Sequence, residues 1–163
     1  MKNTRSIVII LLLTAVFAKG QGDSALNQEY PDAKKEVKKV LDEIEKSIRK
    51  NKIDKLISFH AYGPKFTEFE LGGKRQGSKE NEEFERNFLG AITEVEKWDW
   101  NNLSINVYGG DVANATFHSN FKFKIGEEAY HFKMQGTLLF IKTDKGWKIT
   151  HEHMAPLNEE VKE

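Results

Sequence analysis

Cysteine is absent from the 163-residue chain. That excludes disulfides, thiolate zinc sites, a cysteine nucleophile and a lipid-modified N-terminal cysteine together. Proline is scarce, with 3 residues, and 12 glycines are too few for a collagen-like or low-complexity chain. Excess charge of one sign is also lacking. The 25 Lys+Arg stand against 25 Asp+Glu, whereas a dedicated nucleic-acid binder is usually markedly basic. What is present points to a folded core: 39% of residues are hydrophobic, and 11 Phe, 4 Tyr and 3 Trp argue against disorder. The length is that of one domain.

The longest apolar run, Ile7 to Ala18, follows a short basic region with Lys2 and Arg5. It is shorter than the about 20 residues of a membrane-spanning helix and has the size of a signal-peptide core. Ala18-Lys19-Gly20 supplies small residues around a cleavage point, so residues 1–20 are expected to be a signal peptide cut before Gln21. The expected location is therefore export, periplasmic or secreted, with no stable membrane insertion after cleavage. The removed part carries three bases and no acid, which changes 25 against 25 into 22 against 25, a net charge of −3. An exported domain without cysteine must take its stability from packing.

Residues 21–30 read as a mobile leader and 158–163 as a polar tail. Between them, 31–157 reads as one domain. Ala33, Val37, Val40/Leu41, Ile44 and Ile48 recur at helical steps, with Asp32 as the expected N-cap. Ile53, Leu56, Ile57 and His60 form the stripe of a second helix, so His60 is expected to face inward. Phe66 to Leu71 alternates like a short strand, and Gly72 to Gly77 is a turn. A third helix is expected from Ser78, with Phe84, Phe88, Ala91/Ile92 and Val95 buried and an end near Trp98-Asp99-Trp100.

Beyond Asn101 the period becomes twofold. Leu103, Ile105 and Val107 share one strand face. Ala113, Ala115, Phe117, Ser119, Phe121 and Phe123 share the face of the next strand. Tyr130, Phe132, Met134, Leu138 and Phe140 are the apolar face of another, and Trp147, Ile149, His151 and His153 share a face of the last. Helices first and a meander after them read as α+β. A one-sided sheet of this length hides its apolar face by curling around the helices.

Val107-Tyr108-Gly109-Gly110-Asp111-Val112-Ala113, Gln135-Gly136-Thr137-Leu138-Leu139-Phe140 and Asp144 to His153 with its glycine-tryptophan turn, in that order after three helices, resemble the nuclear transport factor 2-like superfamily and its SnoaL-like (polyketide-cyclase-like) group. The resemblance spans roughly residues 32–156. It implies a conical fold, a curved antiparallel sheet around three helices with a pocket at the wide end, and frequent dimerisation through the sheet. It also implies a range of activities: isomerisation, dehydration, hydrolysis, cyclisation, or ligand and protein binding alone. Catalytic members often carry adjacent acids after the second helix. Here the segment is Phe59-His60-Ala61-Tyr62-Gly63-Pro64-Lys65, with none.

His60, His151 and His153 are the expected acid/base candidates, since imidazole titrates near neutrality and all three are read as facing one cavity. Three histidines also suit a metal, with Glu68 or Glu70 completing the shell, but the expectation is no metal and no cofactor. Glu68 and Glu70 are expected on the solvent face of their strand, with Thr67, Phe69 and Leu71 inside. Tyr62, Phe69, Trp98, Trp100, Phe121, Tyr130 and Met134 are the expected ligand-binding lining. His118 and His131 fall on the outer sheet face with Asn120 and Gln135, a surface compatible with a homodimer. The leading expectation is an exported domain that binds a small, partly apolar molecule. The alternatives are an isomerase, dehydratase or cyclase using the pocket histidines, and a protein-binding dimeric module.

Overall fold

Pro31 opens the first helix, where its missing N–H costs nothing. The computed structural model of the protein describes residues 26–157, so the expected signal peptide, the first half of the leader and the polar tail lie outside the described residues. Helix α1 spans Pro31–Arg49. Tyr30, not Asp32, occupies the N-cap position, and it makes no side-chain cap. Val37, Leu41, Ile44 and Ile48 are buried as their spacing predicts. Each such burial stabilises by about 1.5–3 kcal/mol, so tertiary packing holds a helix this rich in exposed lysine. Helix α2 is short, Ile53–Ile57, and strand β1 covers Thr67–Glu70.

Helix α3 covers Ser78–Asn87, with Gly77 as N-cap and its N–H donating to the Glu80 carboxylate at 3.2 Å. It stops well before Trp98. After one 3-10 turn, Leu89–Ala91, the chain enters strand β2, Glu94–Tyr108. Val95, Trp98 and Trp100 therefore belong to the sheet, a correction to the helical reading. Pairing overrides the apparent helical stripe: Val95 lies opposite Phe123 and Trp98 opposite Phe121, which suits β-branched and aromatic side chains. Strands β3 (Val112–Ile125), β4 (Glu128–Thr143) and β5 (Gly146–Pro156) complete the meander. Gly109 and Gly110 make the β2–β3 turn at φ 63 and 86, a backbone that favours glycine.

The strand order is β1-β5-β4-β3-β2. The four long strands are antiparallel, and β1 pairs parallel with β5, so the α+β sheet is mixed at that edge. The expected buried face of β3 is buried throughout, from Ala113 to Phe123. Phe121 stacks on Trp98 at 3.9 Å between ring centroids. Among the described residues no helix is long and apolar enough to cross a membrane.

One irregularity matters for function. In β5, Ile149 pairs with Phe140 and His151 pairs with Leu139, which leaves Thr150 as an extra, bulged residue. A bulge shifts the alternation by one position. Trp147 and Ile149 are buried before it, and Glu152 is the buried residue after it. His151 and His153 thus move to the other face, which corrects the expectation that they face the interior.

Candidate active site

His60 follows α2 in a segment whose backbone is fastened to β5. Ala61 N–H donates to Ile149 O at 2.7 Å, and Ile149 N–H donates to Phe59 O at 2.8 Å. This holds the imidazole beside the stretch of β5 that follows the bulge. His60 Nε2–H donates to Glu152 Oε1 at 3.1 Å, and Glu85 Oε1 of α3 lies 3.3 Å from the same nitrogen. On the other side of the ring, Nδ1–H donates to Ile57 O at 3.4 Å. Both ring nitrogens therefore face oxygen acceptors, the arrangement of an imidazolium. Tyr62 stacks on the ring at 5.0 Å with an interplanar angle of 9°.

A second layer fixes the carboxylates. Asn81 Nδ2 donates to Glu68 Oε2 at 2.6 Å and to Glu152 Oε2 at 3.3 Å. Its Oδ1 accepts from the Tyr62 hydroxyl. Asn81 and Glu85 lie one turn apart on α3, so one helix face carries both. Glu68 is 2% exposed, Glu85 5% and His60 8%. Glu85 Oε2 is buried and has no hydrogen-bond partner among the described residues.

Burial alone would depress the His60 pKa, but the charge of Glu152, its hydrogen bond and the charge of Glu85 win and push it up to about 9. Burial pushes Glu68 up to about 7, against the Asn81 hydrogen bond, which lowers it. It pushes Glu70 up to about 8, assisted by Glu68 and Glu152. Glu85 is also raised, by burial first, with the His60 charge opposing. Burial raises the Tyr62 hydroxyl above its ordinary value as well, so it stays a donor.

This cluster forms the polar wall of a cavity of about 260 Å³. His60, Glu68, Glu70, Glu85 and Glu152 line it, and the remainder is apolar, including Trp98, Trp100, Phe117, Phe121 and Met134. A perturbed titratable cluster in an apolar pocket marks a candidate functional site.

The expected site residues divide sharply. His60, Trp98, Trp100, Phe121 and Met134 line the cavity. Tyr62 stands behind the wall, with its hydroxyl spent on Asn81. Tyr130 stacks with Phe123 at 5.5 Å and its hydroxyl donates to Glu128 at 2.6 Å, away from the cavity. Phe69 is 41% exposed, packed edge-on to His151 and His153 at 6.1 and 6.0 Å. His151 is half-buried, with Nδ1 2.8 Å from Thr67 Oγ1, and His153 is exposed. The solvent-facing assignment of Glu68 and Glu70 is corrected: parallel pairing of β1 with β5 turns Phe69 outward with His153 and turns the glutamates in. Sequence reasoning missed Glu152, Glu85 and Asn81. For the last two a signal existed, because Asn81 and Glu85 share the helical stripe of Phe84 and Phe88.

His60, Glu85 and Glu152 each offer one atom within 4.8 Å of the others and are the side chains that could hold a cation. In the geometry described, the protonated imidazole already supplies a positive charge there.

The SnoaL-like domain sequence pattern matches residues 37–159. The chain belongs to the SnoaL-like family. No curated protein matches it. Among solved structures, this SnoaL-like chain is similar to a candidate dehydratase of the NTF2-like family from Streptomyces avermitilis, at 17% identity and TM-score 0.70, covering 80% of this chain and 100% of that one. It is also similar to a candidate aromatic ring hydroxylase from Novosphingobium aromaticivorans, at 17% identity and TM-score 0.67, covering 81% and 94%. A third similar structure is an NTF2-like protein of unknown function from Rhodospirillum rubrum, at 12% identity and TM-score 0.59, covering 80% and 99%. At these identities the likeness carries the fold.

Proposed function

We propose that this SnoaL-like domain binds a small, partly apolar molecule in the cavity and exchanges a proton with it, as an isomerase or dehydratase does. The observation that carries this reading is the buried His60–Glu85–Glu152 cluster on the polar wall of an otherwise apolar cavity. Glu85 is the proton-transfer group, since it lines the cavity, one of its oxygens has no hydrogen-bond partner among the described residues, and its pKa is raised toward the working range. His60 and Glu152 act as positioning residues: the imidazolium beside Glu85 stabilises its ionised form, and Glu152 holds the imidazolium. Asn81 and Tyr62 hold Glu68 and Glu152 in turn. The dehydratase description of one structural relative agrees with this chemistry, as a statement about that protein.

The test has two stages. A library of small apolar molecules is screened for those that raise the melting temperature, because a ligand that binds only the native state adds stability. Hits are then incubated in deuterium oxide. Wild type is expected to introduce deuterium or convert the ligand, and Glu85→Gln to bind it without doing either. Turnover unchanged in that variant removes the assignment.

Export of the mature domain, periplasmic or secreted, is supported by the basic and apolar pattern of residues 1–20, and N-terminal sequencing of the exported protein tests it. A homodimer through the outer sheet face is supported by the polar, weakly charged surface around Asn120, His131 and Gln135, and solution mass tests it. The same surface would serve a protein-binding module, but the acid/base wall favours the small-molecule reading.

A further inference from the structure

Leu71 takes a conformation that gains it nothing in the free protein. It follows β1, where alternation turns Phe69 outward and Glu68 and Glu70 into the cavity. A continued strand would send Leu71 outward beside Phe69. Its backbone leaves the strand instead, at φ 47, and its side chain lines the cavity. A left-handed backbone is costly for a bulky side chain. Glycine accepts that bend without the cost, as Gly72 does at the next position with φ 78. The bend is held on both sides: Leu71 N–H donates to Met154 O at 2.8 Å, and Gly73 N–H donates to Glu70 O at 2.7 Å. Burial does not repay the strain. Leu71 is 45% exposed, whereas every other described residue of the cavity wall is buried or half-buried. An apolar side chain that is both strained and exposed at a cavity rim points to an occupant that covers it.

Exposure along β1 gives the direction of the wall. Glu68 is buried, Glu70 half-buried and Leu71 exposed, so this edge runs from the interior to the rim. A molecule that fills the buried apolar interior and also reaches Leu71 passes the acids on the way. We propose that Leu71 is the lip of the cavity and covers an apolar arm of the ligand, whose polar reacting group lies between two apolar parts: one in the interior against Trp98 and Phe121, the other at the rim against Leu71 and Met154. This rests on the small-molecule reading above and adds to it a specificity residue and a class of ligand.

The experiment uses acetophenone, butyrophenone and hexanophenone, uncharged probes with a carbonyl between a ring and an alkyl chain of increasing length. The dissociation constant of each is measured by calorimetry on the full mature chain. A fully buried methylene is worth about fourfold in affinity. Coverage at a rim is partial, so each step of two methylenes is expected to tighten binding about fivefold. Leu71→Ala is expected to leave acetophenone unchanged and to remove most of the gain with chain length. Leu71→Met keeps the apolar reach and is expected to retain it. Leu71→Gly is expected to lose the gain as Leu71→Ala does, yet to unfold at a higher urea concentration than Leu71→Ala, because glycine accepts the backbone. Leu26→Ala, at an exposed leucine outside the cavity, is expected to change nothing in the series. A gain that survives in Leu71→Ala, or is absent from wild type that binds acetophenone, overturns the lip and leaves the small-molecule cavity standing. Binding by none of the three overturns the lip and counts against the cavity reading as well. A Leu71→Gly protein less stable than Leu71→Ala overturns the strain on which the assignment rests.

Discussion

His60 Nε2 lies 3.1 Å from Glu152 Oε1, a buried contact between residues 92 positions apart in the chain. Neither group is easily buried alone. Each is tolerable because the other is there, and removing one leaves an uncompensated charge in a low-dielectric setting. Glu152→Ala is expected to destabilise the domain by about 3–5 kcal/mol, the usual cost of breaking such a pair. His60→Ala combined with Glu152→Ala is expected to cost clearly less than the two single changes added. Urea unfolding of the four proteins in the cycle gives the coupling, and strict additivity would show that the pair is not energetically linked.

Stability is expected to fall as pH rises. Glu68, at about 7, and Glu70, at about 8, have folded pKa values above the ordinary 4.5, so the folded state holds their protons more tightly than the unfolded chain. Their contribution is complete below pH 4.5 and is lost as pH rises through 7 and 8. His60, raised from 6.5 to about 9, has the same sign: its contribution is complete below 6.5 and is lost as pH climbs through about 9. Proton uptake on folding makes the slope of unfolding free energy against pH negative across both windows. Denaturant melts at pH 5, 7 and 9 measure it. Rising stability from 5 to 9 would contradict the buried cluster. Glu68→Gln is expected to flatten the lower part of the curve.

Deleting Thr150 removes the extra residue. Simple alternation from Ile149 then sends His151 outward, Glu152 inward and His153 outward, the facing that the bulge already gives, so His60 keeps its partner. The deletion is expected to keep cooperative unfolding and a melting temperature near that of wild type. Replacing Thr150 by Val keeps the bulge and is likewise expected to have a small effect. Near-UV circular dichroism and thermal melts check both. A deletion protein that loses its near-UV signal or its cooperative melt would mean that the bulge itself, and not only the facing of Glu152, is required.

The order of elements was legible because its signals are periodic and local. The α1 stripe Val37, Leu41, Ile44 and Ile48, and the six alternating residues from Ala113 to Phe123, are buried as read. His60 was also legible, since helical spacing points it inward. What escaped was set by pairing between distant segments. The Val95 to Trp100 stretch reads as a helix end in isolation and becomes strand only because β3 lies beside it. In β5 alternation ran correctly from Trp147 to Ile149 and then failed at Thr150, because a bulge is defined by the partner strand and has no periodic trace. Glu68 was misassigned for a related reason. On hydropathy Phe69 belongs inside, but the parallel register with β5 places it against His153 on the outer side.

The two banks of the cavity are held in different ways. The His60 bank is sewn by main-chain amides to β5, so it can shift only if those bonds to the sheet part. The Glu85 bank rides on a ten-residue helix whose starting end is tethered by side chains, through Asn81 and the reciprocal Ser78–Gly63 bonds. Side-chain tethers yield more readily than a ladder of amides. Adaptation to a bulkier or smaller guest would therefore come from a tilt of that helix, and changes along its cavity-facing side offer the least disruptive route to a new preference.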